Sequence, residues 1–148
     1  MTYVYALLIF IIAPLGTIMH ELGHAIGARL LRADQIHLTV GSGKPIVTLS
    51  IRSFHMTINI VYFLGGMANS KRERDYSAGE AAFIAVCGPL FNGIFALFWV
   101  MLFYVMPSTF IWLMVLFNLW LFLVNLVPFQ IKGKKSDGYT ILKNILRK

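Results

Sequence analysis

His20-Glu21-Leu22-Gly23-His24 is the stretch of this chain whose residue types and spacing point to a reaction. On a helix the two imidazoles lie one turn apart on a single face, placed to share a zinc ion. The glutamate beside them is placed to act as general base on a zinc-activated water. The flanks are Tyr3-Val4-Tyr5-Ala6-Leu7-Leu8-Ile9-Phe10-Ile11-Ile12 before and Ala25-Ile26-Gly27-Ala28 after, an apolar run long enough to cross a bilayer. Ionisable groups at membrane depth are costly, so they mark a functional site.

A catalytic zinc takes three protein ligands and keeps one position open. His20 and His24 supply two, and the third must be a carboxylate or another histidine. Besides Glu21 the acids are Asp34, Glu73, Asp75, Glu80 and Asp137. Glu73 and Asp75 sit among arginines and read as solvated loop charges. Asp34 lies just beyond the first apolar span, in its continuation. Glu80 stands near a helix N-terminus, where the dipole favours a carboxylate without any metal. Asp137 follows the last apolar span and precedes Gly138, so the chain can turn there and fold back towards the helices. Asp137 is therefore the first candidate and Glu80 the second. His37 and His55 fall in alternating segments and read as strand-face histidines.

Two asparagines sit in motifs, Gly88-Pro89-Leu90-Phe91-Asn92 and Asn125-Leu126-Val127-Pro128. In lipid an asparagine needs a partner, and it serves either as glue between helices or as a donor to a substrate carbonyl or developing oxyanion. Counted along the helices at about 1.5 Å per residue, His20 and Asn92 both lie roughly 15–20 Å from the same membrane face. Asn92 is thus at the height of the histidines, and Asn125 is nearer the surface. Asn118 has no motif around it and reads as glue. Cys87, the one cysteine, excludes an intrachain disulfide framework and reads as a buried structural thiol.

The elements that must position these groups follow from composition and period. The chain has 148 residues, 58% hydrophobic and only 13% charged, against about 25% charged for a soluble domain. A membrane protein of mainly α class is expected, as a single domain over 1–148. It has three transmembrane helices, with a small interfacial β-sheet between the first and second. The first helix covers 3–31, about 40 Å at 1.5 Å per residue. Its Pro14 and Gly16 read either as residues that loosen the helix ahead of the histidines or, by preference, as the proline and glycine that membrane helices tolerate. A β region of two to four short strands covers 35–66, where the period changes to two, with Gly41-Ser42-Gly43-Lys44-Pro45 as a turn and Gly65-Gly66 as terminator. Helices follow at 78–106, opened by a Ser77/Glu80 capping box, and at 110–128. Ile131 to Ser136 reads as a basic loop, and 138–148 as an amphipathic helix on the membrane surface.

The formal net charge is +7, and no Lys or Arg precedes Arg29 or falls between Arg74 and Lys132. With three spans, every basic segment then lies on one side. By the positive-inside bias this places the N-terminus outside and the C-terminus in the cytoplasm. The same distribution fits a chain whose partner is the lipid bilayer and argues against nucleic acid, which calls for a basic face on a soluble fold. A cleaved signal peptide is rejected: there is no basic n-region, and cleavage would discard the histidines.

His20-Glu21-Leu22-Gly23-His24, then Gly88-Pro89-x-x-Asn92, then Asn125-x-x-Pro128 and Asp137-Gly138, in this order and on these spans, resembles the site-2 proteases, intramembrane zinc metalloproteases. The Val40-Gly41-Ser42-Gly43-Lys44-Pro45 turn is similar to that family's Gly-rich strand turn. The resemblance covers the family's three-helix core, nearly the whole chain. It implies Zn²⁺ held by His20, His24 and Asp137, Glu21 as the catalytic base, and Asn92 and Asn125 as residues that hold substrate or stabilise the intermediate. The implied substrate is a transmembrane peptide or protein, cut within or near its membrane segment in regulated intramembrane proteolysis. One departure is local: Phe129 to Ser136, rich in lysine, separates Pro128 from Asp137, where the family's segment is usually shorter and apolar. A catalytically inactive membrane scaffold of the same fold and a hydrolase of lipid or soluble substrates are the alternative readings. A bacterial plasma membrane is the expected setting.

Overall fold

The computed structural model describes residues 2–131 and 133–146. Its elements in order are α1 (Thr2–Leu7), a π-helical turn (Leu8–Ile12), α2 (Ala13–Leu30), β1 (Gln35–Ile51), β2 (Phe54–Lys71), α3 (Ala78–Val105), α4 (Thr109–Leu126), β3 (Gln130–Ile131), β4 (Lys134–Lys135) and α5 (Asp137–Ile145). Three helical stretches are long and apolar enough to cross a membrane: Tyr3–Leu30, Ala78–Val105 and Thr109–Leu126. The chain is mostly helical, with a small antiparallel sheet between the first and second of these stretches.

The first stretch is continuous but not uniform. Proline has no N–H to offer the carbonyl four residues back, and its ring crowds that carbonyl. For Pro14 that carbonyl belongs to Phe10, which falls inside the π turn. The wider turn absorbs the conflict without breaking the helix. Pro14 is thus more than tolerated, because it changes the local period just before the histidines.

α3 begins at the capping box expected from its sequence. Ser77 Oγ accepts from Glu80 N, and a Glu80 carboxylate oxygen accepts from Ser77 N at 2.8 Å. Ser108 caps α4 by accepting from Ile111 N. α4 ends at Leu126, where Val127 turns extended ahead of Pro128.

The sheet reaches beyond the expected 35–66. β2 runs on to Lys71 because Gly65, at φ +76°, bends the strand rather than ending it. Gly41 (φ +77°) and Gly43 (φ +92°) do the same for β1. The two bent strands therefore lie side by side in four segments. Residues 35–40 pair with 66–71, from Gln35↔Lys71 to Val40↔Gly66, and also flank 54–58, from Ile36↔Phe54 to Val40↔Ile58. Pro45 to Ile51 pairs with the other side of that segment, from Pro45↔Asn59 to Ile51↔Phe54. Ile36, Leu38 and Val40 on the central segment are buried, and Ile36 packs with Ala25, Ala28 and Ala33 at the end of α2. Alternation puts His37 on the opposite face, where its ring stacks on that of His55 at 4.8 Å.

Small residues let the helices approach closely. A side chain at Gly27 would meet Cys87 Sγ at 2.7 Å. The outward faces carry large apolar groups, among them Leu97, Met101, Tyr104, Trp120 and Leu123. The interior at mid-helix is partly polar instead, with Asn92 and Asn118 both fully buried beside Met114. α5 packs mainly on α3. Its expected extent to 148 includes Arg147 and Lys148, which lie outside the described residues.

Candidate metal centre

His20 and His24 project from one face of α2 with Nε2 atoms 3.2 Å apart. Each ring has its other nitrogen occupied. His20 Nδ1–H donates to Asn92 Oδ1 at 2.6 Å, and His24 Nδ1–H donates to the Ile84 carbonyl at 2.8 Å. A carbonyl oxygen can only accept, so each contact fixes the tautomer and leaves an Nε2 lone pair facing the other ring. Gly88 of α3 makes this arrangement possible, since any side chain there would run into the His24 imidazole.

Asp137, from beyond the last long helix, closes the cluster. Its Oδ2 lies 3.0 Å from His20 Nε2 and its Oδ1 3.3 Å from His24 Nε2. The long segment before it is folded out of the way. β3 and β4 pair as a hairpin, Gln130↔Lys135 and Ile131↔Lys134, around Gly133 at φ +82°. The base of the hairpin is tied shut at Phe129 and Ser136. Ser136 N donates to the Phe129 carbonyl at 3.0 Å, and Phe129 N donates to Ser136 Oγ at 3.0 Å. The same hydroxyl donates to the Val127 carbonyl at 2.7 Å and accepts from Tyr139 N, capping α5. Gly138 lets the first turn of α5 rest on the end of α4, because a Cβ there would strike the Leu126 carbonyl. The eight residues from Phe129 to Ser136 thus add little net displacement, and Asp137 reaches the histidines.

Asn92 stands behind His20 rather than open to a substrate. It is fully buried, and its amide nitrogen donates to the Gly16 carbonyl at 3.1 Å and to Asn118 Oδ1 at 2.9 Å. Both N–H groups are thereby engaged within the helix bundle, leaving none for an oxyanion. Asn118, which the sequence marks only as glue, donates in turn to the Met114 carbonyl at 2.8 Å. A thread of hydrogen bonds therefore runs from α4 through α3 to the imidazole on α2, and Asn118 fixes which way round the Asn92 amide sits. Nothing near Asn118 in sequence signals this.

Glu21 is buried next to the cluster. The β2 segment after Gly65 lies over it: a Cβ on Gly66 would come within 2.8 Å of Glu21 Cγ and 2.9 Å of Thr17 Cγ2. The backbone of Ala68 faces the carboxylate.

The remaining candidates lie elsewhere. Asn125 spends its amide N–H on its own helix, at the Leu121 carbonyl, and borders a cavity of about 420 Å³ under the hairpin. Glu80 is held by Arg72 through two contacts of 2.9 and 3.0 Å. The hydrogen bonds from that carboxylate raise the Arg72 pKa above its ordinary value. Asp34 accepts from Glu73 N. His37 and His55 pair with each other on the sheet.

The donor set suits zinc. The ligating atoms of His20, His24 and Asp137 all lie within 4.8 Å of one another. The closest pairs, at 3.0 to 3.3 Å, match the roughly 3.3 Å between donors about 2 Å from a tetrahedral ion. Two imidazoles and a carboxylate form a common catalytic set for that metal.

No curated protein matches this chain. The family model for peptidase family M50 matches residues 5–109. The match takes in the histidine motif, the sheet and Asn92, and stops short of Asn125 and Asp137. With two histidines and a glutamate on a span-length helix inside the matched region, the chain belongs to peptidase family M50, the site-2 protease family.

Proposed function

We propose that this chain is an intramembrane zinc endopeptidase that hydrolyses peptide bonds within or near transmembrane segments of a protein substrate. The observation that carries the reading is the convergence of His20, His24 and Asp137, drawn from distant parts of the chain, at the height of a buried glutamate in a bundle of span-length helices.

In this reading His20 Nε2, His24 Nε2 and the Asp137 carboxylate hold the metal. Zinc, when bound, supplies Lewis acidity, lowering the pKa of water to about 7 and polarising a carbonyl. Glu21 takes a proton from the attacking water and returns it to the leaving amine. Asn92 and Ile84 keep both imidazoles in the ligating tautomer. Asn125 borders the cavity under the hairpin, and there it contacts substrate. The whole chain acts as one domain, with its basic residues at the cytoplasmic face, the N-terminus outside and the C-terminus inside, as in a bacterial plasma membrane.

A helical substrate buries its carbonyls in its own hydrogen bonds and must unwind before attack. An exposed sheet edge can receive the unwound strand. The sequence suggests an edge within Ile36 to Ile60. The edge beside Glu21 is instead the continuation of β2 through Gly66 and Ala68, so proline at Met67 should weaken cleavage while zinc content is kept.

The test is cleavage of a transmembrane peptide by reconstituted protein, with metal analysis alongside. Glu21→Gln should abolish cleavage and keep about one zinc per chain, whereas His20→Ala and Asp137→Ala should lose the zinc. Wild-type protein that binds zinc and cuts nothing leaves the scaffold reading in its place, and cleavage that persists in Glu21→Gln removes Glu21 from the role of base.

A further inference from the structure

The lysine-rich hairpin does more than return the chain to Asp137. A cleft of about 480 Å³ separates it from the sheet, with Gly41, Leu64, Gly66 and Met67 on one wall and Lys134 and Lys135 on the other. Gly66 belongs to both this cleft and the buried side of the site, since it lies against Glu21. The cleft therefore runs along the strand segment that covers the Glu21 carboxylate. Both walls are extended backbone, β2 on one side and β4 on the other. Walls of this kind suit an extended peptide.

The charge on the hairpin wall is uncompensated. Among the described residues the ion pairs are those of His20 and His24 with Asp137, and of Arg72 with Glu80. Lys134 and Lys135 have no carboxylate partner, and the Lys135 ammonium sits 5.6 Å over the Tyr139 ring. The basic side chains are exposed, and they flank a partly enclosed groove where a counter-charge is less screened than on open surface. A lipid headgroup would meet them on a convex surface. Here they face a concave slot bordered by the strand segment that covers Glu21.

We propose that this cleft seats the substrate segment flanking the cleaved bond, and that Lys134 and Lys135 select an acidic residue there. The proposal rests on the protease reading above, and it names the substrate class: transmembrane polypeptides with Asp or Glu just outside the membrane segment on the basic side of the enzyme.

The experiment measures binding separately from cleavage. Full-length Glu21→Gln protein is reconstituted in phosphatidylcholine vesicles. Binding is read by fluorescence anisotropy with three labelled transmembrane peptides that differ only in the flank, Asp-Glu, Asn-Gln or Lys-Lys. The acidic peptide should bind about tenfold more tightly than the neutral one, the worth of two moderately screened charge pairs. That preference should shrink as salt rises. It should fall to within about twofold on adding K134Q and K135Q, and K134E with K135E should invert the order in favour of the Lys-Lys peptide. An inversion requires folded protein, so it does not arise from damage. Equal binding of the three peptides, or an acidic preference that survives K134Q/K135Q, overturns the proposal. So does a preference that appears only in vesicles containing anionic lipid, which would assign the lysines to the membrane. If wild-type protein cuts none of the peptides the protease reading fails, while the binding order still decides the role of the lysines.

Discussion

Asn92 Oδ1 sits 2.6 Å from His20 Nδ1, in the fully buried centre of the helix bundle. Through this contact the Gly88-Pro89-x-x-Asn92 motif decides which imidazole nitrogen is left facing His24 and Asp137. Asn118 Oδ1, 2.9 Å from Asn92 Nδ2, holds the amide that makes the decision.

Asn92→Leu should weaken zinc binding by about 10- to 100-fold, the usual cost of losing an outer partner of a ligating histidine. Asn118→Leu should cost about tenfold through the same route. Competition against a chelator of known affinity measures both. If Asn92 served the oxyanion instead, Asn92→Leu would leave zinc affinity intact and lower kcat by roughly 100-fold or more.

Gly88→Ala introduces a methyl group into the space of the His24 ring. The neighbouring backbone is helical and packed, so the imidazole must move. Zinc content should fall well below one per chain while the helical circular dichroism signal stays near that of wild type. Full zinc occupancy in this variant would show that His24 has another place to go.

Ser136→Ala removes an N-cap and further contacts at the root of the hairpin. The cap alone is worth about 1 kcal/mol. Here the loss should appear chiefly in the site, as weaker zinc binding with a modest drop in Tm. Gly138→Ala should do the same more severely, because the obstacle is the Leu126 backbone. Thermal scans with and without zinc separate the two effects.

Zinc should stabilise the folded chain by mass action, by about 2.7 kcal/mol at a free concentration one hundred times Kd. Tm should therefore rise with added zinc and fall with chelator, and Asp137→Ala should flatten that dependence. An equal zinc-induced shift in Asp137→Ala would remove this carboxylate from the ligand set.

The sequence is most legible where a local period carries the information. His20 and His24 are one turn apart on any helix, Ser77 and Glu80 form a cap within four residues, and the three span-length apolar stretches announce themselves. The choice among the acids is harder, because five carboxylates compete and only tertiary structure brings one beside the histidines. The end of β2 is hidden because Gly65-Gly66 looks like a terminator, whereas φ +76° at Gly65 merely bends the strand and Gly66 fits against Glu21. The hairpin at Gln130–Lys135 has too few residues for a period to show. Asn118 is invisible as a functional residue, since an asparagine in an apolar helix looks the same whether it faces another helix at random or the amide behind a metal ligand.

The fold also sets an order of events in time. His20, Glu21 and His24 leave the ribosome early, while Asp137 is translated only after all three long helices. In the proposed reading, the nascent polypeptide during that interval carries the proposed base and two of the three proposed ligands without the carboxylate that closes the set. On that reading, hydrolytic power arrives only once the bundle has been made.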